Sequence, residues 1–142
     1  MPHLSKTYAN GAARWLSPDK ALVQLSIRNR HEDIFWFTLL HECAHILQNR
    51  KKHQFIDLDG DARSEEEIQA DRFAAKHLIP TPAYRAFLNR GNSKMSRARV
   101  NTFASEIGVS AATVVGRLQH DELLPPSHLN DLRKKLEWVA KD

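Results

Sequence analysis

Apolar positions near the start of the chain recur every second residue, and farther along they recur every third or fourth. Val23, Leu25 and Ile27 alternate with Gln24, Ser26 and Arg28, the pattern of a strand with one buried and one wet face. Arg14-Trp15-Leu16 precedes it across Ser17-Pro18-Asp19-Lys20, where Pro and Asp are turn formers, so the pattern predicts a hairpin joining Arg14–Leu16 to Ala21–Arg28. Asp33 then stands as an N-cap before Ile34 to Asn49, whose first part (Ile34, Phe35, Trp36, Phe37, Leu39, Leu40) is apolar nearly all round. A central, buried helix is expected there.

Gln54 to Leu58 reads as a short strand and Asp59 to Arg63 as an acidic loop. The spacing of Asp57, Asp59 and Asp61 is that of a calcium loop, but Ala62 and Ile68 stand where such a loop needs Gly and a bidentate Glu, so calcium is rejected. Ser64 is expected to open a helix that stops near Leu78, before Pro80. Thr81-Pro82 reads as an N-cap with Pro at the first helical position, opening a helix over Ala83 to Leu88 that Gly91 closes. Arg97 to Ile107 ends at Gly108, Ser110 caps Ala111 to Gln119, and Pro125-Pro126-Ser127 leads into a last predicted helix reaching about Val139. The predicted architecture is α+β with a helical C-terminal third.

Composition narrows the class without changing this layout. With 142 residues, 42% hydrophobic and 27% charged, the chain suits one globular domain, residues 1–142, and not a fibrous or disordered polymer. No apolar run approaches the roughly 20 residues of a membrane span, and Met1 to Lys6 lacks the apolar stretch of a signal peptide, so a cytoplasmic protein without a membrane partner is expected. Cys43 is the only cysteine, which excludes an internal disulfide. The net charge of +4 divides evenly between residues 1–90 and 91–142, and the densest basic run, Arg133-Lys134-Lys135, suits a solvated helix face. The charge pattern therefore argues against direct nucleic-acid binding by this chain.

Candidate chemistry is concentrated in His41-Glu42-Cys43-Ala44-His45, an H-E-x-x-H pattern inside the predicted buried helix. Positions four apart lie one turn above each other, so His41 and His45 can grip one metal ion, with Glu42 beside the pair as a base for water. Two His and a Glu within five buried residues would be costly to desolvate unless partnered, and a metal ion supplies the partner. A catalytic zinc needs a third protein ligand. Glu67 and Asp71 share a helix face 22 residues beyond His45, which assigns Glu67 as that ligand and Asp71 as the carboxylate that holds His41 in its tautomer. Competing readings remain at this stage. Ser64-x-x-Glu67 also fits a capping box, Glu65 and Glu66 are rival ligands, and two His with one carboxylate could suit iron, although the helical His spacing with an adjacent Glu favours Zn2+. Cys43 reads as a structural thiol, and the other histidines or Tyr84 are candidates to stabilise an oxyanion.

With Glu67-Ile68-Gln69-Ala70-Asp71-Arg72-Phe73-Ala74 continuing to Leu78-Ile79-Pro80, the H-E-x-x-H segment resembles the ImmA/IrrE family of metallopeptidase-like domains. Gly11 to Leu16, Phe35 to Thr38 and Val114 to His120 are similar to the branch found as the C-terminal part of HigA-like antitoxins, and the resemblance spans about residues 11–138. It implies a zincin-like fold, with residues 1–90 as the core and 91–142 as a helical subregion. It also implies zinc on His41, His45 and Glu67, Glu42 as general base, and a metallo-endopeptidase acting on a protein or peptide, a repressor or a toxin, in stress response or a toxin–antitoxin system. HigA-like proteins usually carry an N-terminal helix-turn-helix domain that is missing here, which implies a fragment of a longer regulator or a stand-alone form. The alternative reading is a non-catalytic zinc-binding regulatory domain, since Phe103 to Ser110 followed by Thr113-Val114-Val115 resembles half of a helix-turn-helix. The second helix of that unit offers little beyond Arg117 and Gln119 to read bases, so it is expected to pack beside the zinc cleft.

Overall fold

The computed structural model describes residues 5–8, 11–27, 31–49, 60–90, 95–137 and 139. Three strands, β1 (Ser5–Tyr8), β2 (Gly11–Ser17) and β3 (Lys20–Leu25), form an antiparallel sheet in the order β1-β2-β3. Five helices follow: α1 (Glu32–Asn49), α2 (Gly60–Leu78), α3 (Thr81–Asn89), α4 (Arg97–Ile107) and α5 (Ala111–His120). The fold is α+β with a zincin-like core.

The predicted hairpin is present. Ser17 pairs with Lys20 around Pro18-Asp19, and the Ser17 hydroxyl donates to Asp19 Oδ1 at 2.7 Å. In β3, Val23 and Leu25 are half-buried and Gln24 is exposed, as the alternation requires, but the strand stops at Leu25 and not at Arg28. The sheet packs on α1, and the Trp15 indole donates to the Ile46 carbonyl at 3.0 Å. That bond satisfies a partly buried donor and fixes the sheet against the end of α1 that carries the histidines.

α1 packs on β2, β3, α2 and α5 and is the central element. On α2, Ala70 and Ala74 have no exposed surface, and Ala44 on α1 is also buried. Small buried residues let the two backbones approach, so that short side chains can meet across the seam. The main apolar core lies farther along the chain. Ile79, Tyr84, Phe87, Val100, Phe103, Val114, Val115 and Leu118 form one cluster, with the Phe87 and Phe103 rings stacked at 4.2 Å. Ser96 and Ser110 cap α4 and α5, accepting from Arg99 N and Thr113 N, and Gly108 takes the left-handed conformation at φ 75° that ends α4.

Several boundaries differ from those the sequence predicts. Asp33 lies inside the first turn of α1, and its carboxylate pairs with Arg133 at 3.0–3.2 Å, so a long-range partner replaces the cap. α2 begins at Gly60, so residues 60–63 are helical and Ser64 is not its N-cap. Ala62 and Arg63 are good helix formers and Asp61 is an acid near a helix N-terminus, which favours the earlier start. The short strand expected at Gln54–Leu58 falls outside the described residues. Pro80, not Thr81, is the residue before α3.

The last predicted helix does not form. Beyond α5 the only helical piece among the described residues is a 3-10 turn, Asn130–Leu132, entered through Leu129 at φ 58°. The segment instead runs back over the start of α1, where Lys134 O accepts from Glu32 N at 2.9 Å and His31 bridges to Lys135. The first amides of a helix have no partner within it, and this segment supplies one. Tertiary contacts outweigh the local helical preference.

Candidate metal centre

His41, Glu42 and His45 are at most 2% exposed, the most buried polar residues of α1. The two imidazoles stand edge to face, 4.7 Å between centroids, with their Nε2 atoms 3.1 Å apart. Glu67 reaches them from α2. Its Oε2 lies 3.2 Å from His41 Nε2 and its Oε1 3.2 Å from His45 Nε2. Of the three consecutive glutamates, Glu67 is the one whose carboxylate joins this cluster; Glu65 is exposed and pairs with Gln69 at 3.4 Å. Because α2 starts four residues before Ser64, Glu67 is not tied up in a capping box.

Behind the histidines stand two partners that decide where their protons sit. Asp71 Oδ1 lies 2.9 Å from His41 Nδ1, and a carboxylate only accepts, so Nδ1 carries the proton. Gln48 Nε2 donates to the Glu66 carbonyl at 2.9 Å, which turns Gln48 Oε1 toward His45 Nδ1 at 2.7 Å. That nitrogen therefore donates, and both Nε2 atoms are left as lone-pair acceptors. Sequence reasoning found Asp71 through its four-residue spacing from Glu67. It missed Gln48, whose only signal was its place one turn after His45.

Burial and the neighbouring His45 lower the His41 pKa to about 4, against the opposing pull of Asp71, so His41 is neutral at physiological pH. Burial pushes the Glu67 carboxyl up, opposed chiefly by its contact with His45. Two imidazole lone pairs and a carboxylate thus face one another with no proton assigned among them, and a cation satisfies all of them at once. Ligands of a tetrahedral zinc with bonds of 2.0–2.1 Å lie about 3.3 Å from one another. The two Nε2 atoms, 3.1 Å apart, approach that separation, Glu67 meets each of them at 3.2 Å through a different carboxylate oxygen, and one donor atom from each residue lies within 4.8 Å of the others. His41, His45 and Glu67 could hold a metal ion.

Glu42 has no exposed surface and lies outside this cluster. β2 crosses close above it at Gly11, where a Cβ would lie 2.6 Å from Thr38 Cγ2 and 3.1 Å from Glu42 Cγ. Only glycine allows that approach, so the sheet holds Glu42 in place from above. The Glu42 charge is felt at Glu67, where it adds to the upward push. It also helps burial raise the pKa of the Cys43 thiol, which keeps that half-buried sulfur in its unreactive form.

The other sequence candidates lie elsewhere. Tyr84 donates to Asp121 Oδ2 at 2.7 Å, under the Arg117 guanidinium, and burial pushes its pKa up. His77 contacts the Phe73 carbonyl, His31 meets the C-terminal segment, and His120 and His128 are exposed; His3 and His53 fall outside the described residues.

Residues 11–119, from β2 to the end of α5, match the family model Peptidase_M78, described as the IrrE N-terminal-like domain. The chain belongs to this family. The metal-dependent chemistry of M78 peptidases accords with the His41-His45-Glu67 cluster of this IrrE-like domain. No curated protein and no solved structure matches the chain significantly. The match is to the M78 family as a whole. The helix-turn-helix-like unit of this IrrE-like domain is α4 and α5. In α5, Ala112, Thr113, Val114, Val115 and Leu118 are buried, Arg117 is held by Asp121 at 2.7 Å, and Gln119 donates to the His128 carbonyl and Asn130 Oδ1. The residues that would read bases are thus engaged within the molecule. No helix among the described residues is long and apolar enough to cross a membrane.

Proposed function

We propose that this IrrE-like domain is a zinc-dependent endopeptidase acting on a protein substrate, with His41, His45 and Glu67 as metal ligands, Glu42 as general base and Asp71 as the carboxylate that orients His41. The observation that supports this most is the convergence of the Glu67 carboxyl on two imidazoles whose ring protons are turned outward by Asp71 and Gln48. Glu42, fully buried and adjacent in sequence to His41, is the carboxylate that this reading assigns to proton transfer. When bound, zinc supplies Lewis acidity, which polarises a peptide carbonyl and brings the pKa of water near 7. Glu42 accepts a proton from the attacking water and delivers it to the departing amine, so its carboxylate holds the proton between the two halves of the reaction.

β3 is an edge strand among the described residues and packs on α1, so an extended substrate segment can pair with it. The proposed setting is cytoplasmic, with a transcriptional regulator or toxin as the protein acted on; the sequence resemblance alone supports that setting. The test is elemental analysis of the full chain purified without added metal, beside Glu67→Ala and Glu42→Gln, with cleavage of a denatured protein followed by mass spectrometry. About one zinc per chain, lost in Glu67→Ala and kept in a cleavage-dead Glu42→Gln, is the expected result. Wild-type protein that takes up no zinc after incubation with it would overturn the reading.

A further inference from the structure

α1, α2 and α5 enclose a cavity of about 470 Å³ that none of His41, Glu42, His45 and Glu67 lines. It meets His41 through two neighbours. Asp71 lines the cavity and lies 2.9 Å from His41 Nδ1, and Phe37 lines it and stacks on the His41 ring at 6.2 Å between centroids. The Nε2 atoms of His41 and His45 point the other way, toward Glu67. An occupant of the cavity therefore sits behind the metal centre and does not compete for its donor atoms.

The volume lies within the range of small-ligand pockets. Its boundary is tightly packed, since a Cβ at Gly116 of α5 would lie 2.5 Å from Asp33 Oδ2 of α1. Ile34, Phe37, Ala75, Leu78 and Ile79 give it an apolar floor. Its carboxylates are engaged: Asp33 by Arg133 at 3.0 Å, Asp121 by Arg117 at 2.7 Å and Asp71 by His41. Arg72 is an exposed lining cation with no ion pair among the described residues.

We propose that this cavity is an effector site for a compact apolar carboxylate, with its hydrocarbon body on the floor and its charge at Arg72, and that its occupancy tightens metal binding at His41. The coupling rests on the metal centre of the proposed function, to which it adds a regulatory ligand. The apolar body gains by leaving water, and the carboxylate supplies the charge that Arg72 lacks. Adjacent residues of a helix project about 100° apart, so a carboxylate held at Arg72 is turned away from Asp71. Covering the half-exposed Asp71 with an apolar body strengthens its hydrogen bond to His41 Nδ1, which makes Nε2 a better metal donor. A dication at Nε2 in turn draws an anion toward the far side of the ring. Coupling between two sites is reciprocal, so each ligand tightens the other by the same factor.

The test uses the full chain labelled with 15N, metal-free and zinc-loaded at pH 7, and four probes: naphthoate, naphthylmethanol, naphthylmethylammonium and acetate. Naphthoate should shift the amides of Phe37, Ala75, Leu78 and Gly116. It should bind at least about tenfold tighter than acetate and several-fold tighter than the alcohol, with the ammonium weakest. Competition against a chromophoric chelator should show zinc affinity at least about fivefold higher with naphthoate saturating, and naphthoate affinity should rise by the same factor in the zinc-loaded chain. The exposed Arg72→Gln substitution should erase the preference for naphthoate over the alcohol without changing the fold, and Ala75→Leu should weaken both. Equal binding of naphthoate and acetate, shifts confined to another surface, an unchanged charge preference in Arg72→Gln, or zinc affinity within about twofold at saturation would each overturn the proposal. Equally tight binding of N-acetylphenylalanine amide would also overturn it, by marking the cavity as a site for a peptide side chain. A chain that takes up zinc while naphthoate leaves these amides unmoved removes the effector site and keeps the metal centre. A chain that binds naphthoate here yet takes up no zinc removes the metal centre, and the coupling with it, and keeps the pocket.

Discussion

Gln48 is the residue whose substitution best separates a metal centre from a merely polar helix seam. Gln48→Met keeps the length and helix propensity of the side chain while removing the acceptor for His45 Nδ1 and the donor to the Glu66 carbonyl. Without Oε1, His45 has two neutral tautomers open to it, and only the one with its proton on Nδ1 leaves Nε2 free for a metal. Equal populations of the two cost about 0.4 kcal/mol of binding free energy, and loss of a neutral orienting hydrogen bond adds about 0.5 to 1.5 kcal/mol. The expected result is a zinc affinity lower by roughly 5- to 30-fold, close to the range seen when the outer partner of a metal-bound histidine is removed.

The assay is competition for zinc against a chromophoric chelator at pH 7, with thermal melting of the metal-free chain measured in parallel. In the metal-free Gln48→Met protein, His45 can turn a proton on Nε2 toward Glu67, which offsets part of the bond lost to Glu66, so the melting temperature should move little. Gln48→Glu should do the reverse. Its carboxylate still accepts from His45, so affinity persists, but it repels the Glu66 carbonyl and the melting temperature falls. A folded Gln48→Met protein with zinc affinity within about twofold of wild type would refute the tautomer argument, and with it the main support for the metal centre.

His41 makes the metal-free fold sensitive to acid. Its pKa is near 4 in the folded chain and 6.5 in the unfolded chain, so only the unfolded state takes up the proton between those values. The stability this neutral His41 contributes is complete above pH 6.5 and is lost as pH falls toward 4, about 2 kcal/mol of it between pH 7 and 5, which urea unfolding with chelator present will read and His41→Ala should largely abolish. Gly11→Ala forces a methyl group to 2.6 Å from Thr38 and 3.1 Å from Glu42, and should reduce peptide cleavage at least tenfold while zinc content stays unchanged. Arg133→Met strands the nearly buried Asp33 carboxylate, and should lower stability by about 2 kcal/mol in denaturant unfolding and expose the 31–35 amides to hydrogen exchange.

The clustering of His41, His45 and Glu67 was legible because its geometry is local within each helix. His41 and His45 are four apart, as are Glu67 and Asp71, and a helix puts each pair on one face whatever the tertiary fold does. What could not be read was how residues on different elements use each other. Gln48 looks like an ordinary polar residue near a helix end until Glu66 is brought against it. Asp33 looks like a cap until Arg133, 100 residues on, takes its carboxylate. The chain that carries Arg133 forms only a 3-10 turn, Asn130–Leu132, where its local pattern predicts a helix.

The helix-turn-helix-like unit shows the same limit from the other side. Its turn glycine and capping serine were read correctly from sequence, because Gly108 and Ser110 act through backbone conformation and a bond three residues away. Those signals specify two helices and their angle, but they do not specify which face is left open. That depends on the apolar residues of α5, and Val114, Val115 and Leu118 commit one side of it to the core while Thr113 and Gly116 face the cavity beside α1. A unit of this shape can therefore serve as the wall of a cleft. Any reading of this chain as a nucleic-acid binder needs Arg117 freed from Asp121 and Gln119 from the 126–130 loop, at the loss of four or more hydrogen bonds.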